Sequence, residues 1–252
     1  MPYTKWYNIH ERYSLADFRV EGYILGIVLT LLLFHLFGSR GNRSKAKTWM
    51  RAHAPLLRKE FALVGFSSVP KRDVDENDDG SQLIREKSLF EFEAYATGRQ
   101  NVAFADINLL LAKRFNPVMH GVELFLGFFL DSFSMPQDVV EAIVYPFDGR
   151  ENKTVPLIPG TELKVEKSTY DNFVWAIVNK EKMQKAREDR YDLSITLTKD
   201  HGKLPPWLTV MSESAEITDA LLTLELIEAV TKAGDCLEYL VVSDQPMDKP
   251  KT

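Results

Sequence analysis

The chain has 252 residues, a formal net charge of −5 and a single cysteine, Cys236. The length supports one anchored domain with a real hydrophobic core, and the acidic balance argues against general nucleic-acid binding, so no DNA partner is expected. One cysteine excludes an internal disulfide, and among apolar neighbours it reads as a buried small hydrophobe.

Residues 1–21 form a short N-terminal segment, balanced from Lys5 to Glu21 at three basic and three acidic residues. Residues 22–38, GYILGIVLTLLLFHLFG, then carry no charge. A helix of that length covers roughly 25 Å, the short end of a membrane span, and suits the thin bilayer of the endoplasmic reticulum. A core helix would be amphipathic, whereas this run is apolar on every face except Thr30 and His35. A cleaved signal peptide would carry its positive charge before the run, not after it. Tyr23, Leu25, Val28, Leu32, Phe34 and Leu36 are therefore assigned to the membrane span. His35, one turn from the basic end, is expected to reach the headgroups.

From Ser39 to Lys59 there are seven basic residues and no acid: Arg40, Arg43, Lys45, Lys47, Arg51, Arg58 and Lys59. Lys and Arg beside a span stay in the cytosol, which predicts a luminal N-terminus and a cytosolic chain after Gly38. Residues 39–65 read as a basic amphipathic juxtamembrane helix. Ala46, Trp49, Met50, His53, Leu56, Leu57, Phe61 and Val64 fall on one face from Ser44 to Val64, and Pro55 kinks or restarts the helix. The apolar face is expected to pack on the domain. The basic residues and Trp49 are expected to contact lipid headgroups or a partner.

Residues 66–246 are assigned to a cytosolic α/β or α+β domain, and 247–252 to a tail. The domain begins with a polar loop, 67–87. There Asp75, Asn77 and Asp79, with Gly80 and then Glu86, match the ligand positions and the turn glycine of an EF-hand calcium loop. Against that reading stand Gln82 at a usually apolar position, a strand-like exit and no second loop to pair with. The alternative is a solvated acidic loop with chance spacing. No cofactor other than Ca2+ at this loop is expected.

Strands are predicted at Leu89–Thr97 and Asn101–Leu111. Asn116–Leu130 predicts a Phe-rich helix with Pro117 in its first turn, read as a core helix, with a lipid-contacting or partner-covered face as the alternative. A strand follows at Val139–Pro146, then a Pro/Gly-rich loop. Phe173–Val178 reads as a short buried strand, Lys180–Asp192 as a charged, solvated helix, and Trp207–Met211 as a strand. Ala215–Ala233 reads as a helix with Ile217, Leu221, Leu224, Ile227 and Val230 inward and Gly234 ending it, and Leu237–Val242 is the last strand.

Catalytic signatures are missing from the sequence. There is no G-x-S-x-G, H-E-x-x-H, Walker A or G-x-G-x-x-G pattern, and the five histidines are scattered. A non-enzymatic protein is expected.

Four blocks resemble one family. They are GSRGNRSKAKTWMRAHAPLLRKEFALVG (38–65), DNFVWAIVNKEKMQKAREDRYDLS (171–194), LPPWLTVMSESAEITDALLT (204–223) and SDQP (243–246). They are similar to calumin, the coiled-coil-domain-containing subunit family of the PAT complex, and the resemblance covers most of residues 18–246. It implies a single-span endoplasmic reticulum protein with a cytosolic α/β domain, paired with the small membrane protein Asterix. It further implies an intramembrane chaperone at the translocon, shielding client transmembrane helices during multipass biogenesis. The family is also linked to low-affinity calcium binding, which gives the alternative function of a calcium-homeostasis protein. In the animal members that activity is placed in a long acidic luminal segment, which this chain does not carry. The family's basic coiled coil, which reaches the ribosome, lies beyond Thr252. The chain is therefore expected to be a fragment or a shortened form, with ribosome contact only through that further segment.

Overall fold

The structure, a computed structural model, describes residues 18–66, 82–130, 133, 135–147 and 173–244. It divides into two compact units, Met1–Thr161 and Glu162–Thr252. The expected mixture of helices and strands is observed, and both sheets are antiparallel.

The first unit is organised by one helix, α1, Arg19–Glu60, 42 residues long. The apolar run and the basic segment are thus a single element rather than two. α1 continues through Pro55 and ends at Phe61, whose amide donates to the Leu57 carbonyl at 2.8 Å. Its buried residues are Ser39, Asn42, Ala46, Met50 and Ala54, a stripe repeating every three to four positions. The expected face was right at Ala46, Met50 and Phe61, but Leu56 points outward and is 61% exposed. Val64 lies past the helix end, in strand β1 (Leu63–Val64).

Strands β2 (Ile84–Glu86), β3 (Glu91–Arg99), β4 (Val102–Leu110) and β5 (Val139–Pro146) complete the first sheet. Its order is β1-β3-β4-β5, with β2 also paired to β3. β2 occupies the end of the segment read as a loop. The β3–β4 turn needs φ of 89° at Gly98 and 64° at Asn101, and a Cβ at Gly98 would lie 2.7 Å from that of Ala62. Alternation in β3 and β4 sends Phe92, Ala94, Ala96, Ala105, Ile107 and Leu109 to one buried face. Most of that face packs with Ala46, Met50 and Ala54 of α1. The second half of α1 is therefore part of the core of the first sheet.

Helix α2, Pro117–Phe129, lies between β4 and β5. It is not a core helix: none of its residues is buried. The assignment failed because composition alone does not distinguish a helix apolar on all sides inside a core from one outside it.

The second unit has a sheet of order β7-β8-β6-β9, built from β6 (Val174–Asn179), β7 (Thr198–Lys199), β8 (Leu208–Ser212) and β9 (Tyr239–Ser243). Every residue of β6 is buried, as its unbroken apolar run predicted. Trp175 and Ile177 pack with Ile217, Leu222 and Val230, while Val174, Ala176 and Val178 pack with Ala186, Leu193 and Met211.

The charged helix is two helices, α3 (Met183–Asp189) and α4 (Tyr191–Ser194). They part at Arg190, whose guanidinium forks onto the fully buried Asp192 at 2.6 and 3.1 Å. The long C-terminal helix is also two, α5 (Ala215–Leu221) and α6 (Leu224–Ala233). Thr223 caps the second by accepting from the Leu226 amide at 3.3 Å. Leu224, expected inward, is 77% exposed at the start of α6; Leu222, in the break, is buried instead. Cys236 is exposed, because the chain turns through a short 3-10 helix there.

Candidate functional site

The candidate site is the junction where the apolar half of α1 meets the first sheet. In the apolar half, Tyr23, Leu25, Val28, Leu32, Phe34 and Leu36 are all exposed. No part of its most apolar stretch is buried against the protein. Among the described residues α1 is the one helix long and apolar enough to cross a membrane. Its hydroxyl is satisfied internally, as Thr30 Oγ1 donates to the Gly26 carbonyl at 2.8 Å. His35 turns an edge toward Phe115, with ring centroids 5.8 Å apart, so a protein partner shares its surroundings.

Gly38 ends the apolar run and is where α1 meets the backbone of the chain after β4. A Cβ there would overlap the Arg114 carbonyl and come within 2.6 Å of the Phe115 Cα. One turn on, Asn42 is fully buried. Its side-chain amide donates to the Leu89 and Ala112 carbonyls, both at 3.1 Å, and its oxygen accepts from Arg114 Nη1 at 3.3 Å. A buried amide with these partners is satisfied, and it fixes the rotation of α1 about its own axis.

A second set of contacts holds the same point from outside. Arg114 forks onto Asp138 at 2.8 and 2.9 Å. Asp138 also accepts from the Ala112 amide at 3.0 Å and from Lys45 Nζ at 3.0 Å. Burial pushes the Asp138 carboxyl up, but the hydrogen bonds from Arg114, Ala112 and Lys45 outweigh it and hold the group well below the usual carboxylate range. Arg43 forks in turn onto Glu86 of β2 at 2.8 and 2.9 Å.

The basic residues assigned to headgroups or a partner thus divide. Arg43 and Lys45 are tied to the domain. Trp49 is half-buried against the core and stacks on His53 at 4.1 Å. Arg51 and Arg58 each have an interaction within the chain. Arg40 and Lys59 are exposed and Lys47 is half-buried. Because α1 is one helix, Arg58 and Lys59 lie about 30 Å along its axis from Gly38. Asn42, Arg114 and Asp138 were not found from the sequence. Asn42 does leave a trace: it is uncharged within a basic run and lies in the four-residue register of Ala46, Met50 and Ala54.

Of the four calcium-loop residues, Asp75, Asn77 and Asp79 lie outside the described residues. Glu86 is described, and both its oxygens face Arg43. Among the described residues no three His, Cys, Asp or Glu side chains come together to hold a metal.

The loop after β4 leads from this junction into α2. Asn116 caps the helix by accepting from the Met119 amide at 3.2 Å. Val118, Phe125, Phe128 and Phe129 are each 60% exposed or more. The only charged residue in α2, Glu123, pairs with Lys113 at 2.7 Å.

A sequence profile of the family described as PAT complex subunit CCDC47 matches residues 17–252. The chain is 26% identical, over 97% of its length, to a UPF0674 endoplasmic reticulum membrane protein of Saccharomyces cerevisiae. It is 30% identical, over 94%, to another UPF0674 endoplasmic reticulum membrane protein from Schizosaccharomyces pombe. To the PAT complex subunit CCDC47 of Danio rerio it is 25% identical over 94%. The chain spans 59%, 57% and 42% of the lengths of these three relatives.

Proposed function

Because the chain belongs to the family of the PAT complex subunit CCDC47, we propose that it is a non-enzymatic endoplasmic reticulum membrane subunit of a PAT-like complex. On this proposal it acts as an intramembrane chaperone, assisting insertion and folding of multipass proteins at the translocon. Its partners are a small membrane protein of the Asterix kind, translocon components, client transmembrane helices and the lipid bilayer. Residues before the span face the lumen and the rest face the cytosol, an orientation that the basic flank supports.

One observation carries this reading. The unburied apolar half of α1 continues without a break into the half that Asn42, Met50 and Ala54 hold in the first sheet. A simple tether needs no fixed angle between span and domain. A surface that receives other helices does, because a preorganised surface loses less entropy on binding. Arg40 and Lys47 lie close to Gly38 and suit headgroups. Arg58 and Lys59, about 30 Å further along the axis, suit a protein partner.

The test is recovery of partners from membranes in mild detergent. The native chain is compared with one whose residues 22–34 are replaced by an unrelated apolar sequence of equal length, with His35 and Gly38 at the junction kept. Small membrane partners and translocon components should be recovered with the native span and lost with the replacement; equal recovery would overturn the proposal. Orientation has its own readout. A glycosylation acceptor engineered before Arg19 should be modified, and sugar on the native Asn152 sequon would reverse the assignment.

A further inference from the structure

We propose that α2 is a second membrane element: a half-depth helix embedded in the bilayer leaflet nearest the first unit, beside the foot of the span. The inference rests on α1 being the span and adds a site to it.

The first support is where this segment leaves and rejoins the domain. Arg114 stands immediately before it and Asp138 closes it, and the two are joined by the paired hydrogen bonds at 2.8 and 2.9 Å. Both ends of residues 115–137 are therefore fastened at one point. That point is the end of the span, where Gly38 meets the backbone of Arg114 and Phe115 and His35 meets the Phe115 ring. A segment rooted there starts at the membrane boundary.

The second support is what the segment carries. None of the residues of α2 is buried, and its exposed side chains include Val118, Val122, Leu124, Phe125, Phe128 and Phe129. Phe133 and Met135 beyond the helix are also exposed. A helix docking on a soluble partner keeps a polar face toward water, and α2 has hardly any. Its lone carboxylate is neutralised by Lys113, and the N-terminal amide of Met119 is satisfied by Asn116. Lipid demands that charges and free backbone groups be satisfied within the protein. Met135 lies close against the helix, since a Cβ on Gly127 would approach the Met135 backbone to 3.1 Å. Thirteen residues rise about 20 Å, too short to cross and suited to a re-entrant or interfacial segment.

The measurement is depth-dependent quenching on the full chain in phosphatidylcholine vesicles. Cys236→Ser removes the native thiol, and single cysteines are then placed at Phe128, at Leu29 in the span and at Lys59 at the far end of α1. Each is labelled with an environment-sensitive dye. All three positions are exposed, so labelling leaves the core intact. A nitroxide midway along the lipid acyl chain should remove most of the fluorescence at Phe128 and Leu29 and leave Lys59 unchanged, and aqueous iodide should do the reverse. Quenching at Leu29 but not at Phe128 overturns the inference and leaves the span intact. That is the outcome if α2 is instead covered by a protein partner. Loss of lipid quenching at both positions overturns the span assignment and this inference with it.

Discussion

The two sheets solve the problem of burying a strand differently. In the second unit β6 is covered on both sides by helices of the same unit: α5 and α6 pack over Trp175 and Ile177, α3 and α4 over Val174, Ala176 and Val178. In the first unit β3 and β4 bury only alternate residues, and the helix that covers them is the continuation of an exposed apolar run. One core is closed on itself. The other is closed by an element whose remaining length is apolar and unburied. Changes in the second half of α1 therefore act on the first core, whereas the second sheet is covered by helices of its own unit.

Four changes sharpen or break this contrast. Trp175→Ala should be the most damaging. It empties a fully buried indole site in a strand packed on both faces and should cost about 4 kcal/mol, seen as faster amide exchange in β6 and β8. A cost near zero would mean that the two-sided core is not closed. Met50→Ala should cost about 3 kcal/mol, read as faster exchange across β3 and β4. If exchange there does not change, the sheet does not depend on α1.

Asn42→Ala is expected to cost about 2 kcal/mol, because it leaves the Leu89 carbonyl without its donor and Arg114 Nη1 without the Asn42 oxygen, while the Ala112 carbonyl keeps the Arg114 amide. Its distinguishing effect is on the angle between span and sheet. Spin-label distances from Leu29 to a site on β4 should broaden, and a width equal to that of the native chain would remove the amide as the lock.

The smallest effect is one of pH. Asp138 titrates well below the usual carboxylate range when folded. Its contribution is therefore complete above the ordinary carboxyl value of about 4 and is lost as pH falls through the depressed one. Asp138→Asn should flatten the stability of the first unit across that acid window. An unchanged profile would show that Arg114 and Lys45 do not hold the charge.

Regular patterns were legible in the sequence. The alternation of β3 and the unbroken apolar run of β6 each state a period that their burial matches, and the uncharged run is a helix with its apolar side chains exposed. The junction was not legible, because it joins residues far apart in the chain: Asn42 with Leu89, Ala112 and Arg114, and Arg114 with Asp138. No local pattern encodes such meetings. α2 was visible as a helix, but its place was not. Burial depends on what lies around a helix, and a helix apolar on all sides reads the same inside a core and outside it. Leu224 failed for a different reason. The capping hydroxyl of Thr223 restarts the helix there, which resets the phase on which the inward assignment relied.

An unbroken α1 also makes its apolar half a dial set by helical phase. At 3.6 residues per turn, the stripe of Asn42, Ala46 and Met50 extends backward through Gly38, His35, Leu31 and Ile24. Gly22, Gly26, Leu33 and Phe37 fall on the opposite side. The compass bearing of the apolar half is thus written into the spacing between the two halves. A single alanine inserted after Gly38 would turn the whole exposed apolar surface by about 100° against the sheet without altering one side chain on it.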